Sequence, residues 1–378
     1  MARTYIIAEI GTAHAGDLGL AEELVRAAHE SGADCAKFQC VLASEIVHEL
    51  AGVIDLPGGP TPIYERFVDL ERDAQFYASL QSICERVGID FLCSVFGAQS
   101  AHTIHTLNPP AIKLASPELN HTGLLAQLNA FGLPVIASTG VSRLGDIEYA
   151  MSMLADVDVT LLHCLTSYPA PEDEYNLRVI PNLRALFGVP VGLSDHSIEP
   201  ELVPAIAVAL GASIVEKHFT LDRTRSGLDD PIALEPVDFT LMAATIRRVE
   251  TLIDDDPVNG KRRVDDQLRN EFGVDRVERV LGDGVKRLAP AERSLYETTR
   301  RSLLATRDLT AGERITEGDV AALRAERLPP GLEPRYRDIV VGSRLRSDLP
   351  SGHGIRWENL IDRPAQAVAS DTKRRSTV

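Results

Sequence analysis

Lys37 and Lys113 interrupt the apolar runs "CAKFQ" and "AIKLA", where a charge without a partner is costly to bury. Their ammonium groups supply the positive charge that a phosphate or carboxylate demands, and Ser94, Ser116, Ser138 and Ser194, beside the ends of such runs, add hydroxyl donors. His196 and His218 follow two more runs; a pair of imidazoles with positions left open suits a divalent transition metal. Asp195 or Glu216 could orient one of these histidines from behind. Glu9, His14, Gln39, Glu118, Thr139, His163, Thr166, Tyr168 and Lys217 complete the polar residues at the run ends. Taken singly, a Ser or Thr there is more often a helix cap than a ligand, and either histidine reads equally as a satisfied core residue. A lysine inside "AIKLA" is harder to excuse, and the grouping as a whole points to a site.

The elements that must position these residues alternate. Short β-branched runs at 4–10, 35–39, 90–95, 111–115, 134–138, 159–164, 190–195 and 213–218 read as strands, separated by amphipathic stretches such as 18–31 and 200–210. Eight strands alternating with helices predict a parallel (β/α)8 TIM barrel over residues 1–255. In that fold the chemistry gathers at the C-terminal ends of the strands, where the polar residues fall. The rival, a doubly wound open sheet, lacks a Gly-x-Gly-x-x-Gly turn after the first strand. Residues 256–298 are charge-rich and read as a linker with one or two surface helices; 299–362 hold short strand-like runs between turn signals and predict a small β-rich domain. The tail, 363–378, has no apolar face and reads as disordered.

Bulk properties set limits. The chain has 378 residues, 44% of them hydrophobic, and a net charge of −16, which argues against nucleic acid or an anionic membrane as partner. No apolar run reaches the roughly 20 residues of a membrane span, and the N-terminal stretch does not read as a signal peptide. Cys35, Cys40, Cys84, Cys93 and Cys164 read as reduced, buried thiols of a cytoplasmic protein. Binding an anion to so acidic a chain requires a locally positive site, which the lysines, the metal or helix N-termini would provide.

The motifs "IIAEIGTAHAGDLGLAEELVRAAHESGADCAKFQ", "AIKLASPE", "PVIASTG", "LLHCLTSYPAPEDEYNL", "VGLSDHS" and "GASIVEKHFTLDRTRSGLDD" resemble those of the sialic acid (N-acetylneuraminate) synthases and related nonulosonic acid synthases. "RRSLLATRDLTAGERITEGDV" resembles the start of the antifreeze-like SAF domain that ends those enzymes. The resemblance implies metal-dependent condensation of phosphoenolpyruvate with an aldehyde sugar, giving a 2-keto-3-deoxy sugar acid and phosphate. It assigns His196 and His218 to the metal, Mn2+ or Mg2+ with Co2+ or Zn2+ as alternatives. It assigns Lys37, Ser94, Lys113, Ser116, Ser138, Thr166 and Ser194 to phosphoenolpyruvate, and Gln39, Tyr168, Glu216 and Asp229 to the sugar. Glu9, Glu118 and Glu216 would be the catalytic carboxylates. It also implies a homodimer that exchanges C-terminal domains.

The departures lie on the sugar side. Ala13-His14-Ala15 stands where the family has Asn-His-Asn, "GLDDPIAL" brings Asp230 and Ala233, and "LPGGPTPIYERFVDLE" does not resemble the usual sugar-contacting loop. The SAF Arg-Pro-Gly element is replaced by "LRAERLPPGLEP", where Arg324 or Arg327 could take the place of its sugar-binding arginine. An unusual acceptor, not N-acetylmannosamine, is therefore expected. A metal-dependent pyruvate aldolase or lyase on the same barrel, or a non-catalytic sugar-acid binding protein, are the alternatives. The first leaves the ring of serine hydroxyls without a purpose, and the second leaves Glu9 and the lysine and histidine pairs without one.

Overall fold

The computed structural model describes residues 3–56, 59–225 and 227–361. The expected tail, 363–378, lies outside the described residues.

Eight parallel strands close into a barrel: β1 Tyr5–Gly11, β2 Cys35–Gln39, β3 Asp90–Val95, β4 Ile112–Leu114, β5 Val135–Ser138, β6 Val159–Cys164, β7 Val191–Asp195 and β8 Ile214–His218. Hydrogen bonding runs in sequence order around the ring, and β8 closes it on β1. Side chains alternate in and out along a strand. Ile7, Cys35, Leu92, Ala111, Ile136, Leu162 and Ile214 form a buried apolar cluster inside the barrel. Two residues further along each strand, on the same face, stand Glu9, Lys37, Ser94, Lys113, Ser138, Cys164 and Glu216. One period of the pleat thus separates a stabilising layer, at about 1.5–3 kcal/mol per large apolar side chain, from a layer that carries Glu9, Lys37, Lys113 and Glu216.

The helices outside pack on the outward-facing set, which includes Ile6, Ala8, Ala36, Phe38, Phe91 and Val215. The helix Leu18–Glu30 starts where the Asp17 carboxylate accepts from the N–H groups of Gly19 and Leu20. It then buries Ala21, Leu24, Val25 and Ala28 at helical spacing.

The stretch 256–298 is more integrated than a connector. Helices Gly260–Phe272 and Val274–Leu281 bury Val264, Leu268, Val277 and Val280 in the main core. Their apolar residues recur at i and i+4, or i and i+3, among many charges, and so give a weak sequence signal. The C-terminal domain pairs β9 Arg301–Ala305 with β10 Val320–Arg324 in antiparallel fashion. Its own core contains Leu303, Ile315, Leu345 and Ile355.

This domain sits on the mouth of its own barrel. The Arg301 guanidinium, fully buried, donates to the Glu118 carboxylate, to the carbonyls of Glu45 and Ile46, and to Phe96 O at 2.8 Å. Asn120 exchanges two hydrogen bonds with the Arg301 backbone, at 2.9 and 3.1 Å.

Candidate active site

Parallel register sets the polar residues side by side. Glu9 lies opposite both Lys37 and His218; Ser94 lies opposite Gln39 and Lys113; Ser194 lies opposite Cys164 and Glu216. They line a cavity of about 220 Å³ at the barrel mouth. Lys37 Nζ is 2.7 Å from Glu9 Oε2 and 3.6 Å from Glu216 Oε2, and donates to Ser94 Oγ at 3.1 Å. Lys113 Nζ donates to Ser138 Oγ at 2.7 Å and lies 3.7 Å from Glu216 Oε1. Gln39 Nε2 donates to the other Glu9 oxygen at 2.7 Å.

Burial pulls the Lys37 ammonium down, but the Glu216 and Glu9 carboxylates outweigh it and leave it above its ordinary value. Lys113 is held below its ordinary value, chiefly by burial and then by Lys37, against the pull of Glu216. Burial raises Glu216, but Lys113 and Lys37 dominate and keep it ionised. The two lysines therefore share one carboxylate and differ in how much charge they have to spare.

A tight cradle adjoins Lys113. Ser116 Oγ accepts from Gly140 N at 3.0 Å, and a Cβ on Gly140 would come 2.2 Å from Thr166 Oγ1 and 2.9 Å from Ser116 Oγ. Only glycine leaves room for these hydroxyls to converge. Thr166 Oγ1 is buried without a hydrogen-bond partner, an expensive state unless a ligand satisfies it.

The histidines stand across the cavity with ring centroids 5.3 Å apart. His196 Nδ1 donates to Leu165 O at 2.8 Å, which leaves Nε2, 3.5 Å from Ser194 Oγ, as the ring nitrogen a metal could take. Burial lowers the ring, but Cys164 and the Leu165 carbonyl raise it to about 9, so a metal would have to displace a proton there. His218 Nδ1 is buried with no hydrogen-bond partner and lies 3.9 Å from Asp229 Oδ2. Burial, then His196, pushes His218 down to about 3, which keeps it neutral and able to ligate. Among the described residues no three His, Cys, Asp or Glu side chains converge on one point. A metal held by these two rings would keep most of its positions for water and substrate, so the residues fit an open site.

Nearly all the expected site residues line this cavity: Glu9, Lys37, Gln39, Ser94, Lys113, Ser116, Ser138, Thr166, Tyr168, Ser194, His196, Glu216, His218, Asp229 and Arg324. Glu118 and Arg327 do not. The Glu118 carboxylate is fully buried between the guanidiniums of Arg301 and Arg324, so it fixes the domain interface and through it the cavity wall. Arg324 is the arginine that reaches the cavity, while the Arg327 backbone donates to Ala51 O at 3.3 Å.

Asp195 does not orient a histidine ring. It meets Lys217 Nζ at 2.6 Å and accepts from the hydroxyl of Tyr175, which in turn accepts from His196 N at 2.9 Å. Glu216 comes closer to that role, through Ser194, whose Oγ donates to it at 2.8 Å and lies 3.5 Å from His196 Nε2. His14 packs against Phe76 outside the cavity, with ring centroids 5.0 Å apart.

Sequence reasoning missed the apolar wall. Phe67, Phe96, Ala115 and Leu228 line the cavity and belong to one cluster with Val41, Ile46 and Ile63. Phe67 comes from the short helix Ile63–Val68 and the others from separate loops, and no sequence pattern links them.

A model of the NeuB family matches residues 24–257, and one of the SAF domain matches 300–361. The crystal structure of the Bacillus subtilis spore coat polysaccharide biosynthesis protein SpsE superposes with a TM-score of 0.79 at 31% identity, covering 96% of each chain. The N,N'-diacetyllegionaminic acid synthase of Legionella pneumophila is 32% identical, with 94% of each chain covered. The human N-acetylneuraminate-9-phosphate synthase is 29% identical over 97% of this chain and 95% of its own.

Proposed function

The chain belongs to the NeuB family and carries a SAF domain, and from that premise we propose that it condenses phosphoenolpyruvate with an open-chain aldose to give a 2-keto-3-deoxy sugar acid and phosphate. The observation that carries this reading is the pairing of an ammonium-and-hydroxyl cradle with an open histidine pair in one cavity. The phosphate lies against Lys113, Ser116, Ser138 and Thr166, and the carboxylate against Lys37 and Ser94. The nominal charges of Lys37, Lys113 and Arg324 are cancelled by Glu9, Glu216 and Asp229. A strongly anionic donor therefore needs added positive charge, and the His196–His218 pair is where a divalent metal would supply it. Such a metal, when bound, polarises the aldehyde oxygen.

The remaining work falls to the protein. The enol carbon attacks the aldehyde carbon, and water adds to the resulting oxocarbenium-like carbon. The C–O bond then breaks and releases phosphate. Glu9, held by Lys37 and Gln39, is placed to take the proton of that water, while Glu216 balances the lysines as charge shifts. Positioning supplies much of the acceleration.

The acceptor end carries the Phe67, Phe96 and Leu228 wall and one guanidinium, Arg324, whose charge Glu118 already offsets. This supports an acceptor without a phosphate and with apolar substituents, distinct from N-acetylmannosamine. Phosphate release from phosphoenolpyruvate with Mn2+ across aldoses and their phosphates tests the reading. One unphosphorylated aldose should trigger release and its phosphate ester should do so at least about tenfold less well, the discrimination one missing charge partner provides. Turnover of N-acetylmannosamine equal to the best aldose would overturn the acceptor assignment; release with no aldose at all would point to simple hydrolysis.

Gly140→Ala is expected to lower kcat/KM for phosphoenolpyruvate by about 10²-fold, because the new methyl group pushes Thr166 away by roughly 1 Å, and Ser116 by less, where positioning matters. Steady-state kinetics with the fold checked by circular dichroism decide it. An unchanged KM and kcat would remove these hydroxyls from the donor site.

A further inference from the structure

Behind the cradle lies a second cavity, of about 350 Å³, between the β6 loop and residues 282–293. Cys164 lines both cavities. In its wall the His163 ring is buried, with Nε2 donating to Tyr175 O at 2.6 Å. Nδ1 therefore keeps its lone pair, buried and without a partner. Lys286 reaches in from the other side, its Nζ donating to Thr139 O at 2.8 Å and keeping further N–H groups to offer. Three of the four carboxylates on its wall are committed; the fourth, Asp173, is exposed. Glu292 accepts from the N–H groups of Val141, Thr166 and Ala289, Glu174 from Ala291 N, and Asp283 pairs with Arg287.

We propose that this cavity is a second binding site, for a sugar acid with a hydroxyl beside its carboxylate, and that its occupancy damps the reaction in the first cavity. Lys286 takes the carboxylate and His163 Nδ1 accepts from the hydroxyl. Burial holds the Lys286 ammonium below its ordinary value, and an anion beside it relieves that cost. A neutral sugar leaves the ammonium unmatched, and a plain carboxylate leaves His163 Nδ1 orphaned. The coupling route is short. Lys286 and Glu292 hold Thr139, Val141 and Thr166, the backbone on either side of Gly140 and the cradle hydroxyls. A ligand that draws Lys286 away from Thr139 O loosens that backbone. The ligand class rests on the condensation proposed above, whose product is such an acid, so the site would sense accumulated product.

The probe is N-acetylneuraminate, whose closed ring bears a hydroxyl beside the carboxylate; its 2-O-methyl glycoside lacks that hydroxyl. Calorimetry on the full chain, which needs no turnover, measures binding, and phosphate release at saturating donor and acceptor measures damping. Lys286→Met removes the ammonium, and Leu288→Trp fills the cavity from a wall residue with no side-chain hydrogen bond. The wild type is expected to bind the probe and lose about fivefold or more of its rate, the lower range of allosteric coupling. The glycoside should bind at least about tenfold more weakly, the cost of leaving a buried acceptor unpaired. Leu288→Trp should keep its rate with the probe present, whereas Lys286→Met, which itself frees Thr139 O, should start from a lowered rate that the probe no longer changes. No binding by the wild type, binding that survives in both variants, or inhibition relieved by more acceptor would overturn the site. Binding without damping would overturn the regulation. If no aldose triggers phosphate release yet calorimetry still finds the probe lost in Leu288→Trp, the condensation has failed and the cavity has not.

Discussion

His218→Ala is expected to lower metal-dependent phosphate release by about 10³-fold, roughly 4 kcal/mol of barrier. His218 offers a neutral ring whose Nδ1 has no protein partner, facing a second ring whose Nδ1 is already spent on a carbonyl. With only these two rings to hold the ion, losing one should remove most of its affinity as well as its orientation. Chelation of the wild type should abolish release and added Mn2+ restore it. In the variant, the same Mn2+ should restore little, and phosphoenolpyruvate, held by Lys37 and Lys113 without the ion's charge, should protect against thermal unfolding less than it does in the wild type. Full metal-stimulated activity in His218→Ala would place the ion elsewhere; donor protection equal to the wild type's would mean that the ion adds nothing to donor binding.

Glu118→Gln is expected to cost about 3–5 kcal/mol, because it leaves Arg301 and Arg324 buried against a neutral amide. The loss should concentrate at the domain interface. Hydrogen exchange at β9 should accelerate more than exchange in the barrel strands, and the thermal midpoint should fall by several degrees. A Glu118→Gln, Arg301→Met double variant should recover part of the stability, since one uncompensated guanidinium is gone. If activity falls by orders of magnitude while β9 exchange stays unchanged, Glu118 is a chemical group in its own right. Activity that falls only as the interface loosens makes it the anchor that keeps Arg324 on the cavity wall.

Much of this was legible in the chain. Each barrel strand is a short apolar run with a period of 2, and the structure places all eight within two residues of where those runs predict them. The same period explains why the polar residue at a run's end can be read as facing inward: Lys113 follows Ala111, and Glu216 follows Ile214, on one face. Such regularities are local, so sequence carries them. The 256–298 segment was read less well because its few buried apolar residues are diluted by charge. The masking is compositional, and packing against the barrel overrides it.

Other features could not be read at any length of local pattern. Glu118 looks like a strand-end carboxylate until Arg301 and Arg324, about two hundred residues later, close over it. Asp195, next to a candidate ligand, is claimed by Lys217 and Tyr175. The apolar acceptor wall and the cavity beside Lys286 are assembled from segments that meet only in three dimensions. By itself the sequence determined the barrel, the order of its strands and the ring of donors at their ends, because these follow from periodicity and from the cost of burying charge. Tertiary structure decided which charges remain available to a ligand, because availability depends on the partners that long-range packing brings within hydrogen-bonding distance.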